Sequence, residues 1–413
     1  MNILSLSGSY LRAKPFNTIL NVVLLALGIA IVTVLLLVSK QVEDTLTRNS
    51  RGVDLVVGAK GSPLQIILSS VFHIDFPTGN IALKEARPLQ RNRMVKNLIP
   101  LALGDSYQGF RIVGTNYDYP TLYQAELQQG DWWKETMEVT LGARVAQQLS
   151  LAPNDTFTSS HGLADDRINV HDERPFRVRG ILEPTGTVVD NLILTAVESV
   201  WAVHEVHQDT TDLAKTTIGE SITTQGLPKG KEDREITSLL VQYRSPMAAV
   251  QLPRYVNQRT SMQAASPAFE TARLFSLVGV GVDTLQAFAY VIILIAALST
   301  FIALYNALKE RQYDLAIMRS LGASRQKLFL LVLIEGILIA LSGGMLGILM
   351  GHSFLWMLSQ FASQPGQLGF TAFRFLAEEG VVLLVSTGIG AIAAFLPALT
   401  AYRTDIGQVL AQK

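Results

Sequence analysis

Hydrophobic residues are concentrated in four long runs, one near the start of the chain and three in its last third. The runs cover residues 16–38, 286–308, 328–351 and 381–402, and only the third contains a charged residue, Glu335. About 20 apolar residues in an α-helix cross the hydrocarbon core of a bilayer. None of the runs has the polar stripe of a soluble amphipathic helix. The pattern therefore predicts four transmembrane helices.

The first run has a second interpretation, a cleaved signal peptide, because Arg12 and Lys14 precede it. A signal peptide has an apolar stretch of only about 7–15 residues, followed by a cleavage site with small residues. The run here is longer, and no such site follows before Lys40. An uncleaved membrane anchor is therefore the interpretation we favour.

The charges of the short connections predict the orientation of the spans. The 308–328 connection carries an excess of basic residues: Lys309, Arg311, Arg319, Arg325 and Lys327 against Glu310 and Asp314. The 352–380 connection holds Arg374 beside Glu378 and Glu379. Because cytoplasmic loops are rich in Lys and Arg, we expect the first connection and both chain termini in the cytoplasm. The segment between the first two spans is then extracytoplasmic.

That segment, about 240 residues long, has the alternating pattern of a mixed α/β domain. A β-branched stretch at 53–57 predicts a strand. Ser62, Pro63 and Gln65 then form a capping-box signature that opens a helix to about residue 72. Further strands are predicted at 138–141, 156–159, 176–182, 191–195 and 236–243, and further helices at 142–149, 196–204 and 245–257. Residues 207–235 are polar and predict a long loop.

Candidate metal ligands in this segment are weak. His204 and His207 flank a pair of residues in a pattern one residue short of the H-E-x-x-H zinc motif, and His171 offers a further ligand. Histidines on solvated loops explain the same residues, and we favour that interpretation. A membrane-anchored metalloenzyme remains a rival hypothesis, although no nucleophile motif supports an enzyme.

Composition excludes several other classes. The 413 residues are 49% hydrophobic and 16% charged, the net charge is zero, and there is no cysteine. A zero net charge argues against a nucleic-acid partner, which would require a basic excess. The absence of cysteine excludes disulfides, thiolate metal sites and cysteine nucleophiles.

The most informative stretch is the basic connection and the start of the third run. Leu315, Ile317, Met318 and Leu321 lie among its charges and predict a short amphipathic helix at the membrane surface. Gly322, followed by Ala323 and Ser324, is expected to end that helix, and a new helix begins near Arg325. Exposed apolar residues here favour docking onto another protein over a merely solvated loop.

This stretch closely resembles the coupling-helix region of ABC transporter permeases in the superfamily of the MacB exporter, the lipoprotein-releasing LolC/LolE permeases and FtsX. The matching residues are Glu310, Arg311, Asp314, Leu315, Ala316, Ile317, Arg319, Ser320, Leu321, Gly322, Ala323, Ser324 and Glu335. The last segment of this chain also resembles the closing segment of that superfamily, through Leu396, Pro397, Ala398, Ala401 and Arg403.

The resemblance implies a membrane protein with one plus three transmembrane α-helices and a large α/β extracytoplasmic domain between the first two. The implied parts are residues 1–40 with the first span, a MacB-like periplasmic domain at 41–280, and spans two to four at 281–413 with a coupling helix at 309–325. Its implied location is the inner membrane.

The resemblance also implies a permease subunit that transmits ATP-driven movement to its extracytoplasmic domain. No phosphate-binding loop is recognised, and the first span begins after about 16 residues. We therefore expect two copies of a separate cytoplasmic ATPase, which bind ATP and Mg, and no cofactor on this chain. The other expected partner is a second permease copy, as homodimer or heterodimer, and a periplasmic adaptor or acceptor stays open.

The implied ATPase-coupling residues are Glu310, Arg311, Asp314, Leu315, Met318, Arg319, Gly322 and Arg325, with Leu315 and Met318 as apolar anchors. Glu335 is an intramembrane carboxylate that either relays protons or pairs with a coupling-segment arginine, and we favour the pairing. Gly343, Gly347 and Gly351 form a small-residue stripe. The stripe predicts either a dimer seam or a packing face within one chain.

A regulator similar to FtsX, which activates an extracytoplasmic partner without moving a substrate, is the alternative function. Proteins of that type carry a smaller outer domain between the first two of their four spans. The 240-residue segment here therefore favours the MacB and LolC/LolE side of the superfamily.

Overall fold

In this computed structural model the described residues are 3–161, 175–205, 222–229, 232–361 and 371–403. They form two compact units. The membrane unit takes in residues up to Gln41 and the described residues from Leu277 onward, and the α/β unit takes in the described residues of Val42–Ser276.

Helices account for the membrane unit and flank the sheet of the α/β unit. They are α1 (Ile3–Ala13), α2 (Pro15–Ser50), α3 (Pro63–Ser70), α4 (Leu83–Gln90), α5 (Asp118–Leu122), α6 (Ala143–Leu149), α7 (Val197–Glu205), α8 (Ala248–Arg259), α9 (Pro267–Glu310), α10 (Gln312–Ser320), α11 (Arg325–Phe361) and α12 (Ala377–Arg403). A short 3-10 helix covers Val188–Asn191.

Four of these helices, α2, α9, α11 and α12, are long and apolar enough to cross a membrane. They contain the four apolar runs, which confirms the predicted one-plus-three arrangement around an α/β insertion. Each helix extends beyond its apolar run, because helix propensity continues into the flanking polar residues. The first run, for example, ends at Val38, whereas α2 continues to Ser50.

Within the membrane unit, α11 and α12 pack with their backbones unusually close. A Cβ atom at Gly390 would lie 2.2 Å from the Cβ of Ala340, and one at Gly336 would lie 2.4 Å from the Cβ of Ala394. Only glycine permits this separation, since even alanine would clash. This close packing fixes the relative positions of α11 and α12, to which the connections at both ends are attached.

The α/β unit contains one large mixed sheet and a separate sheet of two strands. Its strands are β1 (Leu55–Ala59), β2 (Ile81–Ala82), β3 (Val95–Tyr107), β4 (Phe110–Thr115), β5 (Leu127–Gly130), β6 (Glu138–Leu141), β7 (Thr156–Phe157), β8 (Ser160–His161), β9 (Phe176–Leu182), β10 (Leu192–Ala196), β11 (Glu235–Ile236), β12 (Ser238–Tyr243) and β13 (Met262–Ala265). The order along the main sheet is β13-β1-β12-β3-β4-β10-β6-β9-β5. Strands β4 and β10 are parallel, as are β6 and β9, while β3 is antiparallel to both β4 and β12.

Buried side chains lie on both faces of this sheet. One cluster joins Trp133 and Tyr119 to β3 and α3, and another joins α4, α7 and α8 to β1 and β12. At about 25 cal/mol per Å² of buried apolar surface, such two-sided burial is the main source of stability for the unit. The predicted mixed α/β class is thereby confirmed.

The helix predicted from Ser62 is α3, and half of its capping box forms. The Ser62 hydroxyl accepts a hydrogen bond from the backbone N–H of Gln65 at 3.4 Å. The Gln65 side chain, however, donates to the carbonyl of Phe76 at 3.1 Å rather than returning to the cap. That tertiary bond holds the loop after α3, and the helix ends at Ser70.

The loop after α3 is also held by a buried histidine. His73 has a left-handed φ of 55°, and its Nε2 lies 2.9 Å from the hydroxyl of Tyr119. Burial, followed by the nearby positive charge of Arg111, holds the pKa of His73 well below 6.5. The imidazole is therefore neutral in the folded state.

We expect the α/β unit to lose stability in acid because of His73. The unfolded chain takes up a proton at this residue below about pH 6.5, whereas the folded chain does not. The contribution of neutral His73 to the free energy of unfolding is therefore complete above that pH and is lost as the pH falls. The slope from one such group is at most about 1.4 kcal/mol per pH unit. Asparagine tolerates the left-handed backbone, so in His73→Asn the unfolding midpoint of the full chain should change less between pH 7 and pH 5 than in the wild type. An unchanged acid slope in that variant would contradict the assignment.

Candidate functional site: the coupling segment

The connection between α9 and α11 is a short helix, α10, followed by a well-defined turn. Gly322 has a left-handed φ of 98°. The N–H of Ala323 donates to the carbonyl of Met318 at 2.9 Å, which is the bond of a Schellman stop. The Ser324 hydroxyl then accepts from the N–H of Lys327 at 3.3 Å and caps α11. The Gly-Ala-Ser sequence thus ends one helix and starts the next.

One face of α10 is buried in the membrane unit. Leu315 is 2% exposed and Ala316 is fully buried. Leu315 belongs to an apolar cluster with residues from the ends of α9, α11 and α12: Leu308, Leu328, Leu331, Val332, Ala398 and Ala401, with Leu6, Tyr10 and Met318 packed against it. Leu315 therefore fixes α10 to its own bundle, and the half-buried Met318 packs against the same cluster. The docking role expected for these two side chains stays a prediction.

The opposite face of α10 carries a different set of apolar side chains. Tyr313 is 44% exposed, Ile317 is 36% exposed, and Leu321, directly after the helix, is 82% exposed. Their spacing of four residues places them on one side of the helix. Apolar residues grouped in this way on a connection are typical of a contact surface. We call Tyr313, Ile317 and Leu321 the outer face of α10.

Arg311, at the start of α10, faces the bundle. Its Nη1 donates to Glu335 Oε1 at 3.1 Å, and its guanidinium lies 4.1 Å from the centre of the Tyr10 ring. A further bond runs from Nη2 to the Tyr10 carbonyl at 3.4 Å. The pair is largely buried, with 16% of the Arg311 side chain and 5% of the Glu335 side chain exposed. Arg311 therefore joins α1, α10 and α11.

Glu335 is thus paired with an arginine, which is one of the two arrangements that the sequence left open. A carboxylate buried in a span is costly unless it is paired, and Arg311 supplies the pairing. Sequence reasoning missed Tyr10, whose ring covers the guanidinium. The available signal was an aromatic residue two positions before Arg12, in the basic segment ahead of the first span.

The remaining predicted coupling residues lie around the outer face. Glu310 forms an ion pair with Lys14, in which both side chains are substantially exposed. Asp314, Gly322 and Arg325 are exposed, and Arg319 is half-buried. Charged residues of both signs thus lie on and beside α10, a composition typical of the rim of a protein interface.

The glycine stripe of α11 packs against α2 of the same chain. A Cβ atom at Gly347 would lie 2.7 Å from the Ala26 carbonyl oxygen and 2.7 Å from the Ile29 Cβ. Likewise, a Cβ at Gly343 would meet Leu25 at 3.0 Å, and one at Gly351 would meet Thr33 at 3.0 Å. Of the two interpretations of the stripe, the structure has the packing face within one chain.

The weak metal candidates are not brought together in the described part of the chain. His171 and His207 lie outside the described residues, and His204 lies at the end of α7. Among the residues that the structure does describe, no group of three or more His, Asp and Glu side chains is arranged to hold a metal ion.

These features define a class of membrane protein, with four spans, a large α/β insertion between the first two and a short helix between the second and third. Two family models match the chain. The MacB-like periplasmic core domain matches residues 18–259, and the FtsX-like permease C-terminal model matches residues 287–406. The chain belongs to the MacB/FtsX-type family of ABC transporter permeases. Its four apolar helices and its family indicate a multi-pass protein of the inner membrane.

Individual relatives are more distant. The macrolide export ATP-binding/permease protein MacB of Bordetella avium (strain 197N) is 35% identical over 107 residues, which are 25% of this chain and 15% of that protein. The chain thus matches a small part of that relative's length. The periplasmic region of MacB from Actinobacillus actinomycetemcomitans aligns at 12% identity with a TM-score of 0.33, covering 55% of this chain and 97% of that one.

Proposed function

We propose that the chain couples a separate cytoplasmic ATPase to movements of its periplasmic domain. In this proposal the outer face of α10 inserts into the ATPase, and two ATPase copies, which bind ATP and Mg, act on a permease dimer. The 308–328 connection and both termini face the cytoplasm, as its basic excess favours. The substrate is extracytoplasmic or membrane-embedded, and the chain itself catalyses no reaction.

The observation that carries this proposal is the pair of apolar faces on α10. One face is anchored in the bundle through Leu315 and Ala316, and the other exposes Tyr313, Ile317 and Leu321. A helix that is firmly attached on one side moves its own bundle when a partner pushes on the other. Arg311 adds a polar link to α1 and α11.

Transmission beyond α10 follows the packing of the spans. The glycine stripe of α11 is in close contact with α2, and α2 continues without a break to Ser50, past the start of the α/β unit at Val42. Displacement of α11 by α10 therefore reaches α2 directly. We infer that this contact passes the movement to the periplasmic domain, which releases or hands over the substrate.

The test is stimulation of ATP hydrolysis by the purified permease–ATPase complex. Ile317→Asp places a charge in the centre of the outer face, and burying an unpaired charge costs several kcal/mol. We expect at least a tenfold loss of ATPase binding or stimulation. Gln326→Ala, an exposed change at the second residue of α11, should leave both unchanged. Wild-type stimulation by Ile317→Asp would refute the docking role of α10.

A further inference from the structure

A second buried ionisable pair lies at the other end of the α11–α12 pair from α10. His352 of α11 is 9% exposed and Glu379 of α12 is 6% exposed. The Nε2 of His352 lies 3.1 Å from Glu379 Oε2, and its Nδ1 lies 2.6 Å from the carbonyl oxygen of Ala372. Both ring nitrogens therefore face oxygen atoms.

The number of protons in this arrangement follows from its chemistry. A carbonyl oxygen only accepts hydrogen bonds, so Nδ1 carries a hydrogen and donates to Ala372. In a neutral imidazole, Nε2 then has only a lone pair, which would face the carboxylate oxygen of Glu379 with no hydrogen between them. The observed geometry is satisfied only when the pair holds one further proton, on Nε2 or on the carboxyl group.

The surroundings of Glu379 favour the proton on the imidazole. Glu379 is in the first turn of α12, where the helix dipole stabilises negative charge. Its Oε1 accepts a hydrogen bond from the N–H of Leu376 at 3.1 Å, as an N-terminal cap does. An ionised Glu379 thus accepts from Leu376 and from an imidazolium at His352, and every polar atom of the pair is satisfied.

The pair also holds the segment 371–376, which precedes α12. Gln41 of α2 binds Thr371 twice: its Nε2 donates to the Thr371 carbonyl at 3.0 Å, and its Oε1 accepts from the Thr371 N–H at 2.8 Å. Ala372 is buried with Leu37 and Leu355. Closure of the segment therefore depends on contacts with α2, α11 and α12 together.

We propose that His352 and Glu379 form a buried binding site for a single proton, and that the bound proton fixes the 371–376 segment to α2, α11 and α12. On the topology proposed above, the site faces the extracytoplasmic solution. Loss of the proton breaks the bond between His352 and Glu379 and frees the segment. Arg374 is the other charged residue of this segment, and Glu378 is the other charged residue of the first turn of α12. The ring of Phe375 packs on the imidazole, with 4.7 Å between the two ring centres.

Hydrogen exchange of the full chain in detergent, between pH 6 and 9, tests the site. After correction for intrinsic exchange, we expect protection of the 371–376 amides to fall by up to about tenfold per pH unit once the proton is lost. Glu379→Gln is the informative variant. Its amide N–H donates to Nε2 and its oxygen accepts from Leu376, so the segment should stay closed without an extra proton. Its protection should therefore be independent of pH.

Two outcomes would overturn the proposal. One is a wild-type profile that does not change with pH, and the other is a Glu379→Gln profile that matches the wild type. A second measurement is made on the wild-type chain. With ¹⁵N-labelled histidine, the signal absent from His352→Phe should show both ring nitrogens protonated under the conditions in which the 371–376 amides are protected. A signal from a singly protonated, neutral ring with an ionised Glu379 would also exclude the site.

Discussion

Replacing Gly347 with leucine is expected to be among the most damaging changes in the membrane unit. A Cβ atom at this position already lies 2.7 Å from the backbone of α2, and leucine adds three further carbon atoms. Overpacking costs about 1–3 kcal/mol where side chains are able to shift, and a backbone carbonyl cannot shift without moving its helix. We expect a loss at or above about 3 kcal/mol, seen as a lower thermal midpoint in detergent.

Gly388→Leu is the matched control, because nothing lies within 4 Å of a Cβ at Gly388 on α12. It should leave the thermal midpoint of the monomer close to that of the wild type. The oligomeric state provides a second readout. If the stripe packs within one chain, the Gly347→Leu protein loses stability without a specific loss of dimer. Selective conversion to a stable monomer would contradict the structure.

The second large effect is expected from breaking the Arg311–Glu335 pair. Glu335→Ala leaves the Arg311 guanidinium buried without its carboxylate, and removal of one partner of a buried pair costs about 3–5 kcal/mol. Since the pair joins α10 to α11, the variant should also lose ATPase stimulation. Thermal unfolding and ATP hydrolysis by the complex measure the two effects.

The double variant Arg311→Met with Glu335→Met should recover most of the lost stability, because an apolar pair leaves no buried charge. Lys14→Ala serves as the control. It removes the exposed Lys14–Glu310 pair, and exposed ion pairs contribute only about 0–1 kcal/mol. Equal losses in Lys14→Ala and Glu335→Ala would show that burial of the Arg311 pair has no special role.

The membrane architecture was predictable because length and hydropathy determine it almost alone. A run of apolar residues such as 16–38 has no stable place except a bilayer or a large core. The end of α10 and the start of α11 were also predictable, since Gly322 and Ser324 are local stop and start signals. Such features depend on residues that are neighbours in the chain.

The faces of α10 were not predictable from its sequence. Leu315 and Ile317 are both apolar, and the helical pattern assigns them to different sides without indicating which side meets the bundle. The structure buries Leu315 because residues from α9, α11 and α12 converge on that side. The glycine stripe was ambiguous for the same reason, since small residues suit any close helix contact.

Long-range polar pairs were the hardest to predict. His352 and Glu379 are separated by 27 positions, and their bond depends on how α11 and α12 pack. His352 is the one histidine of six outside the segment between the first two spans, so no neighbouring histidine marks it in the sequence. Glu335 was recognised as unusual because it interrupts an apolar run, whereas Glu379 lies at the edge of one.

Docking of an ATPase on the outer face of α10 can be tested directly by cysteine labelling. The chain contains no cysteine, so single-cysteine variants need no prior substitutions. Ile317→Cys should react with a maleimide in the isolated permease and be protected in the complex with the ATPase. Glu378→Cys, exposed on the first turn of α12, should react equally in both. Equal labelling of Ile317→Cys with and without bound ATPase would contradict the account.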